Sequence, residues 1–340
     1  MLKVENLTIS FQTDEGLITP VQGVSFEVAP GRTLGIVGES GSGKSVSTKA
    51  LMRLLPGNAR MSAKTRITYA NKAGEPVRID RLKPKSRSLR QLRGGEIGMI
   101  FQEPMASFSP VYTIGNQMME AIRLHRKASK KEAREIAIAM LDRVGISNSA
   151  ARVDQYPHEL SGGMRQRAMI ALALSAGPAL LIADEPTTAL DVTIQAQVLE
   201  LMAELQRDLG MGMIFITHDL GVIAQVADEI AVMYLGTIVE RGATADVIRN
   251  PRHPYTQGLL KAIPSLNTLH HRLSPVPGDI PSPTERPTGC PFHTRCAQKR
   301  AGQCDVTTPP ERILGEGRAV ACWLDVGMSA PVSPRSEEFA

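Results

Sequence analysis

Cysteine is absent from the first 289 residues of this 340-residue chain, which excludes a small fold built on disulfide bonds. Aromatic residues make up only 4% of the sequence and are not interleaved with the basic residues, so the composition does not favour a protein that binds single-stranded nucleic acid. No uncharged run exceeds sixteen residues, whereas a helix that crosses a bilayer needs about 20 apolar residues. Any membrane role must therefore come through a partner chain.

The composition that is present is that of an ordinary globular protein, with 42% apolar and 21% charged residues. The net charge of +5 is small, and the basic runs at residues 78–93 and 123–134 are interpreted as solvated faces. The first sixteen residues alternate apolar and polar side chains. This pattern predicts a strand rather than a secretion signal, so we expect the chain to stay in the cytosol.

The distribution of proline divides the chain in two. Residues 1–250 contain ten prolines and residues 251–340 contain thirteen, and all four cysteines follow this change. We therefore expect two domains, at residues 1–250 and 251–330, and a tail at residues 331–340.

Within the first of these domains, short apolar runs alternate with segments of helical spacing. The predicted strands are residues 33–38, 97–102, 179–184 and 211–217. Because these runs are nearly continuously apolar, they predict a sheet that is covered on both faces, as in the α/β class. Residues 129–144 and 193–209 have apolar residues at helical spacing and contain no proline, which predicts two helices.

A glycine-rich motif follows the first of the predicted strands. Residues 38–45, GESGSGKS, fit the pattern G-x-x-x-x-G-K-S/T, in which backbone N–H groups cradle phosphate oxygens. Lys44 would add a positive charge to the β- and γ-phosphates, and Ser45 could bind Mg²⁺. The candidate ATP-binding residues of this loop are Gly38, Ser40, Gly41, Ser42, Gly43, Lys44 and Ser45.

A second motif is the apolar run LLIA that ends in Asp184 and Glu185. Strand ends are where an open α/β sheet places its ligand site, so Asp184 could reach Mg²⁺. Glu185 would then be placed to polarise a water for attack on the γ-phosphate. Alone, such a pair could equally cap a helix, but together with the phosphate loop it indicates catalysis.

The third motif, LSGG at residues 160–163, lies between the other two and precedes an apolar helical run. Ser161 would cap that helix, and the glycines would expose N–H donors. In this position the motif resembles the signature of the ATP-binding-cassette (ABC) ATPases. Other landmarks of that family appear in the expected order: Gln102 in MIFQEP, Asp191 in ALD and His218 in IFITHD.

The resemblance implies a fold and a set of roles. The fold would be an α/β ATPase core with an antiparallel β element, a helical insertion at about residues 103–165, and a small cysteine-bearing C-terminal domain. Gln102 would contact Mg²⁺ and the attacking water, His218 would contact the γ-phosphate, and Asp191 would belong to the ATP site. Phe11 occupies the zone where the family stacks an aromatic ring on adenine. The alternative, purely structural interpretations are that Gln102 ends a strand and that His218 and Phe11 pack in the core.

The resemblance also implies that the active site is shared between two subunits. In the family, the residues corresponding to Ser161, Gly162 and Gly163 contact ATP held by the opposite subunit. One departure is visible, because Met164 stands where the signature usually has glutamine, and Gln166 follows two places later. The phosphate donors are unaffected, so we expect the departure to be tolerated.

A narrower resemblance concerns the transported substrate. The segments FQEPMASFSPVYTIGNQMMEAI, DEPTTALDVTIQAQVLELM and PRHPYTQGLLKAIPSL are similar to the ATPase subunits of bacterial dipeptide and oligopeptide importers. This implies an ATP-hydrolysing motor at the cytoplasmic face of the inner membrane. Its partners would be a second, related cassette, two transmembrane permease subunits and an extracytoplasmic substrate-binding protein, with no nucleic acid.

Other functions remain as alternatives to peptide import. Nickel and glutathione importers share this subfamily. A soluble cassette ATPase of DNA repair or translation would need a long coiled-coil insertion or a second cassette, which the sequence lacks. A non-hydrolysing regulatory subunit would be expected to lack the glutamate at position 185, which is present.

The four cysteines, Cys290, Cys296, Cys304 and Cys322, have the spacing C-x5-C-x7-C-x17-C. In a cytosolic chain this cluster indicates a metal site, either an iron–sulfur cluster or Zn²⁺, with reduced unliganded thiols as a third interpretation. The absence of a C-x2-C pair argues against a zinc ribbon. Resemblance to the importer ATPases implies a 4Fe–4S cluster. Because the ATPase core contains no cysteine, we expect nucleotide binding to be independent of this cluster.

Overall fold

The computed structural model describes residues 1–14, 16–102, 108–188, 190–263, 276–282, 284–315 and 317–324. Its strands are β1 (Leu2–Thr13), β2 (Gly16–Val28), β3 (Thr33–Val37), β4 (Ala59–Met61), β5 (Arg66–Ala70), β6 (Pro76–Arg78), β7 (Ile97–Ile100), β8 (Leu180–Asp184), β9 (Gly212–Thr217), β10 (Glu229–Tyr234), β11 (Thr237–Ala243), β12 (Arg312–Gly315) and β13 (Arg318–Val320). Its helices are α1 (Lys44–Leu51), α2 (Arg87–Gly95), α3 (Ile114–His125), α4 (Lys130–Arg143), α5 (Ser149–Arg152), α6 (Gly162–Ser175), α7 (Val192–Leu209), α8 (Leu220–Val226), α9 (Thr244–Arg249) and α10 (Pro254–Lys261). Single 3₁₀ turns lie at Ile79–Arg81 and Pro157–Glu159.

The strands form two sheets. The smaller sheet is antiparallel, with the order β2-β1-β5-β6 and with β4 paired to β1. The larger sheet has the order β12-β13-β11-β10-β3-β9-β8-β7. Strands β10, β3, β9, β8 and β7 run parallel, and β11, β13 and β12 extend the sheet antiparallel.

The parallel strands are buried on both faces, and alternate residues enter two different cores. In β8, Leu180 and Ile182 pack into the core shared with the antiparallel sheet, whereas Leu181 and Ala183 pack into the core shared with helices α3 to α8. The same alternation in β9 sends Ile214 to the first of these cores. Burial on both faces is what the continuous apolar runs predict, and these predicted strands are confirmed.

The two predicted helices are also confirmed, as α4 and α7. Helix α4 begins after Ser129, whose Oγ accepts a hydrogen bond from the Glu132 N–H at 3.2 Å while the Glu132 carboxylate accepts from the Ser129 N–H. This reciprocal pair satisfies two donors at the helix start. Helices α3, α4 and α5 all lie within the span expected for a helical insertion.

The C-terminal part differs from the expected small separate domain. Strand β13 pairs with β11, so β12 and β13 lengthen the larger sheet instead of building a sheet of their own. Cys290, Phe292 and Cys304 belong to the same apolar core as the ATPase helices. The expectation of a separate cysteine-bearing domain is therefore not supported, because the segment is too poor in large apolar residues to form its own core and packs onto the main one.

Among the residues that the structure describes, no helix combines the length and the apolar character that a membrane span requires.

Candidate functional site

The glycine-rich motif forms a tight loop between β3 and α1. Gly43 immediately precedes α1 with φ +95°, and Gly41 has φ +76°, a region that glycine enters without steric cost. A Cβ atom on Gly43 would collide with the Pro20 carbonyl, and one on Gly38 would collide with the Met233 carbonyl. The glycines are thus required by the close packing of this loop against β2 and β10.

Lys44 lies inside this loop and is only 5% exposed. Its Nζ donates to the carbonyls of Gly38 at 2.6 Å and Glu39 at 3.0 Å. Burial lowers the pKa of the Lys44 ammonium, while the carboxylates of Glu185 and Asp184 act in the opposite direction. A partly dehydrated ammonium placed among loop N–H groups is suited to phosphate oxygens.

Ser45 and Asp184 form the second part of the site. The Ser45 hydroxyl donates to Asp184 Oδ1 at 2.8 Å, although 139 residues separate them. Asp184 is 2% exposed, and burial raises the pKa of its carboxyl against the effect of the Ser45 hydrogen bond. A hydroxyl beside a buried carboxylate is an oxygen pair that suits Mg²⁺.

Glu185 lies at the sheet edge where three neighbouring parallel strands, β7, β8 and β9, end. Its Oε2 accepts from Gln102 Nε2 at 3.2 Å and from Thr188 Oγ1 at 3.1 Å, and it lies 3.5 Å from His218 Nδ1. Gln102, Glu185 and His218 follow β7, β8 and β9, and carboxyl ends of parallel strands meet at one sheet edge. Glu185 also has φ +48°, a conformation that non-glycine residues rarely adopt and that clusters at functional sites.

The signature motif lies on an exposed turn at the start of α6. Ser161 is the N-cap, and its Oγ accepts from the Met164 N–H at 3.4 Å. Ser161 and Gly162 are exposed. Asp191 caps the neighbouring helix α7 and is exposed as well, and a Cβ on Gly163 would meet Ile194 of α7 at 3.4 Å. These residues thus form one accessible surface.

Phe11 lies on β1, half-buried, where it pairs with Ile18 and packs against the core between the two sheets. Stacking of this ring on adenine stays a prediction.

Several residues that the sequence motifs do not single out also contribute to the site. Thr188 contacts Glu185, as described above. The buried Gln166 amide donates to the Pro186 carbonyl and ties α6 to the turn after β8. Glu39, within the phosphate loop, forms an ion pair with Arg295 at 2.7 Å. No local motif of the sequence indicates this pair, because its two residues are 256 positions apart.

The four cysteines all lie among the described residues, and none is in a disulfide bond. Burial raises the pKa of the Cys290 thiol to about 11, and nearby Cys322, Cys304 and Cys296 add to the effect, so the four thiols are gathered in one region. Yet the described residues contain no group of three or more histidine, cysteine or acidic side chains arranged to hold a metal ion. The four thiols lie in one region but are not arranged as a set of metal ligands. This arrangement supports neither the expected 4Fe–4S cluster nor Zn²⁺.

Comparison with known proteins agrees with this geometry. The profile of the ABC transporter family matches residues 21–188, and the profile of the oligopeptide/dipeptide transporter C-terminal region matches residues 239–304. The dipeptide transport ATP-binding protein DppD of Bacillus subtilis is 47% identical over 324 residues, which cover 95% of this chain and 94% of that protein.

Solved structures show the same fold. A dimeric bacterial ABC transporter cassette superposes with a TM-score of 0.62 at 26% identity, over 72% of this chain and 99% of the other. The CbiO1 protein of Clostridium perfringens, part of an ABC transporter complex, gives a TM-score of 0.60 at 26% identity, over 73% of this chain and 90% of the other. The chain therefore belongs to the ABC transporter family of ATP-binding proteins, in the group that carries the oligopeptide/dipeptide transporter C-terminal region.

Proposed function

We propose that this chain hydrolyses ATP to drive the import of dipeptides or oligopeptides through separate membrane subunits. The observation that carries the proposal is the convergence of Ser45, Asp184 and Glu185 at one sheet edge, beside the phosphate loop. The 47% sequence identity to a dipeptide transport ATP-binding protein, over almost the whole length of the chain, supports peptides as the transported substrate.

Different residues of the site would bind the phosphates, hold Mg²⁺ and activate the attacking water. The loop N–H groups and Lys44 would bind the phosphates, and Ser45, Asp184 and Gln102 would hold Mg²⁺, which would neutralise phosphate charge. Glu185 accepts a proton from the attacking water as general base. Gln102 and His218 contact the Oε2 atom of Glu185, so they can orient its carboxylate and sense the nucleotide.

The proposal places the working site between two cassettes. Ser161 and Gly162 are exposed on the α6 turn, and the exposed Asp191 lies on the same surface. A helix start with accessible N–H groups suits the phosphates of ATP held by a second subunit. A similar cassette is dimeric, and we infer a related but distinct partner, with a homodimer as the alternative.

The same proposal assigns the remaining partners. With no spanning helix among its described residues, the chain would bind two transmembrane permease subunits at the cytoplasmic face of the inner membrane. An extracytoplasmic binding protein would deliver the substrate.

The test uses the assembled importer reconstituted in vesicles with its binding protein. We expect ATP-dependent uptake of labelled dipeptides or oligopeptides, and expect Glu185→Gln to lower hydrolysis by about 10²-fold or more while ATP still binds. Lys44→Ala should weaken ATP binding itself. Uptake of nickel or glutathione without peptide uptake would overturn the substrate assignment, and unchanged turnover in Glu185→Gln would overturn the catalytic one.

For the cysteines we retain a 4Fe–4S cluster as a proposal that rests on the sequence resemblance. Binding would require Cys290 to lose its proton, because its raised pKa keeps the thiol neutral near pH 7. Protein purified without oxygen should be brown and contain iron. Stoichiometric zinc without visible absorption, or metal-free protein, would contradict the cluster.

A further inference from the structure

An ion pair joins the phosphate loop to the segment that carries the cysteines. Arg295 Nη1 lies 2.7 Å from Glu39 Oε2, and Nη2 lies 3.1 Å from Oε1, so the guanidinium holds the carboxylate with two parallel hydrogen bonds. The two residues are 256 positions apart. Arg295 directly precedes Cys296.

The surroundings of Arg295 fix it rigidly. Its side chain is only 3% exposed. Its guanidinium also donates to the carbonyls of Pro277 and Val276, both at 3.0 Å, and it lies over the ring of Tyr234 at 5.8 Å. Burial lowers the pKa of Arg295, but the hydrogen bonds and charges of Glu39 and Tyr234 together outweigh burial, so the net pKa is raised. The Arg295 guanidinium therefore stays protonated, and its hydrogen bonds fix its position beside Glu39.

The carboxylate of Glu39 lies where a negative charge is unfavourable for ATP binding. Glu39 belongs to the loop that cradles phosphates, its own carbonyl accepts from Lys44 Nζ, and its charge acts on the Lys44 ammonium. Without a counter-charge, Glu39 would repel the triphosphate and compete for Lys44. The backbone of Glu39 is held as well, since its N–H donates to the Tyr255 hydroxyl at 2.9 Å.

We propose that Arg295 is a positioning residue of the nucleotide site, which neutralises Glu39 and holds the phosphate loop in its ATP-binding conformation. The inference rests on the ATP-binding function proposed above and adds a contribution from outside the known motifs. This inference also revises the expectation that nucleotide binding is independent of the cysteine-bearing segment. If that segment unfolds locally, Arg295 loses its contact with Glu39 and ATP binding weakens.

The test is a titration of the purified full-length chain with Mg-ATP and Mg-ADP, by calorimetry. Arg295→Gln leaves the charge of Glu39 unneutralised in the phosphate loop, so it should weaken ATP binding about tenfold or more. ADP should be affected less because it carries less negative charge. Glu39→Gln removes the repelling charge and keeps an amide oxygen that can accept from Arg295, so it should bind ATP at least as tightly as the wild type. The double variant should lie within about threefold of Glu39→Gln.

Arg286→Gln is the matched control, because the Arg286 guanidinium donates to the Leu235 carbonyl and not to a carboxylate. It should leave the ratio of ATP to ADP affinity unchanged. Wild-type ATP affinity in Arg295→Gln, or a double variant as weak as Arg295→Gln, would overturn the inference. If Arg295→Gln does not fold, weakened ATP binding in Glu39→Gln overturns it equally.

The two proposals can fail separately. Wild-type protein that binds no ATP would remove the proposed function. Wild-type protein that binds ATP, with variants that bind it equally well, would remove only the role of Arg295.

Discussion

Two buried charges in the phosphate site, on Lys44 and Asp184, are both disfavoured by their surroundings. Burial lowers the pKa of the Lys44 amine and raises the pKa of the Asp184 carboxyl, so burial favours the neutral form of each group. Nearby opposite charges, with Glu185 acting most strongly on Lys44, and the hydrogen bond from Ser45 to Asp184 act against burial and favour the charged forms. Such a site is poor for the stability of the nucleotide-free chain and suited to binding a charged complex.

Asp184→Asn should therefore stabilise the chain while disabling it. A carboxyl with a raised folded pKa costs stability where it is ionised, above its ordinary pKa, and this cost vanishes as the pH falls to about 4. We expect the nucleotide-free variant to melt about 2 °C or more above the wild type at pH 7, with the gain lost near pH 4. Mg²⁺-dependent hydrolysis should fall at least about 10²-fold. Thermal melts over this pH range and an ATPase assay check both.

The control for this variant is Asp208→Asn, which removes an exposed carboxylate that accepts a single hydrogen bond from Arg143. Exposed pairs contribute little, so neither melting nor hydrolysis should change. A lower melting temperature for Asp184→Asn at pH 7 would contradict the unfavourable burial of this charge.

At the scale of single elements, Ser161 and Ser129 are both N-cap residues whose side chains accept a hydrogen bond from the first turn of the helix. Ser161 Oγ accepts from an N–H of α6 at 3.4 Å, and Ser129 Oγ accepts from an N–H of α4 at 3.2 Å. Each serine accepts one N–H of the first helical turn, and Ser129 differs in having the reciprocal hydrogen bond with Glu132. This makes them a matched pair for separating stability from assembly.

Ser161→Ala and Ser129→Ala should each cost about 1 kcal/mol of stability, the usual value of an N-cap. Only Ser161→Ala should lower the ATPase rate of the two-cassette complex, because we place Ser161 against the partner's ATP. Denaturant titration and ATPase assays on the assembled importer measure the two effects. Equal loss of activity in both variants would mean that Ser161 acts through stability alone.

The elements also show what the sequence could predict. Strands β3, β7, β8 and β9 are buried on both faces, so their apolar runs are continuous and mark their positions within about two residues. Strands β12 and β13 have only four and three residues. They pair with each other, and β13 also pairs with β11, far earlier in the chain. Such short, partly exposed strands carry no periodic signal, so the sequence did not indicate that this part would extend the larger sheet, and the expected small C-terminal domain is not supported.

The same distinction holds for the site. Lys44, Ser45, Asp184 and Glu185 are predicted because each belongs to a local motif whose chemistry requires that residue type. The pairing of Glu39 with Arg295 depends on tertiary contacts over 256 positions and could not be read from either local sequence.

At the scale of the whole molecule, one aromatic cluster joins the C-terminal segment to the ATPase core. The Phe292 ring lies 5.2 Å from that of Tyr234 and 5.3 Å from that of Tyr255, centroid to centroid. Tyr234 ends β10 of the central sheet, and Tyr255 lies on α10. The segment and the ATPase core should therefore unfold together.

Phe292→Ala should destabilise the whole chain by about 3–5 kcal/mol, the usual cost of a large buried cavity. Calorimetry and near-ultraviolet circular dichroism should show one transition, shifted to lower temperature, with nucleotide affinity reduced as well. Val306→Ala, in the same segment but 67% exposed in the wild type, is the control and should change little. Two separate transitions, with the ATPase transition unmoved, would show that the C-terminal part folds by itself.

The long separation between Glu39 and Arg295 also has a consequence for synthesis. A ribosome adds about 5–20 residues per second, so the phosphate loop emerges roughly 10–50 s before the arginine that neutralises it. During that interval the growing chain also lacks β10, the sheet neighbour of β3 on one side, until residues 229–234 are made. If Arg295 positions the phosphate loop as we propose, a nascent cassette gains its full affinity for ATP only after residue 295 has been made, and shorter nascent chains do not pair with a finished partner over a shared nucleotide.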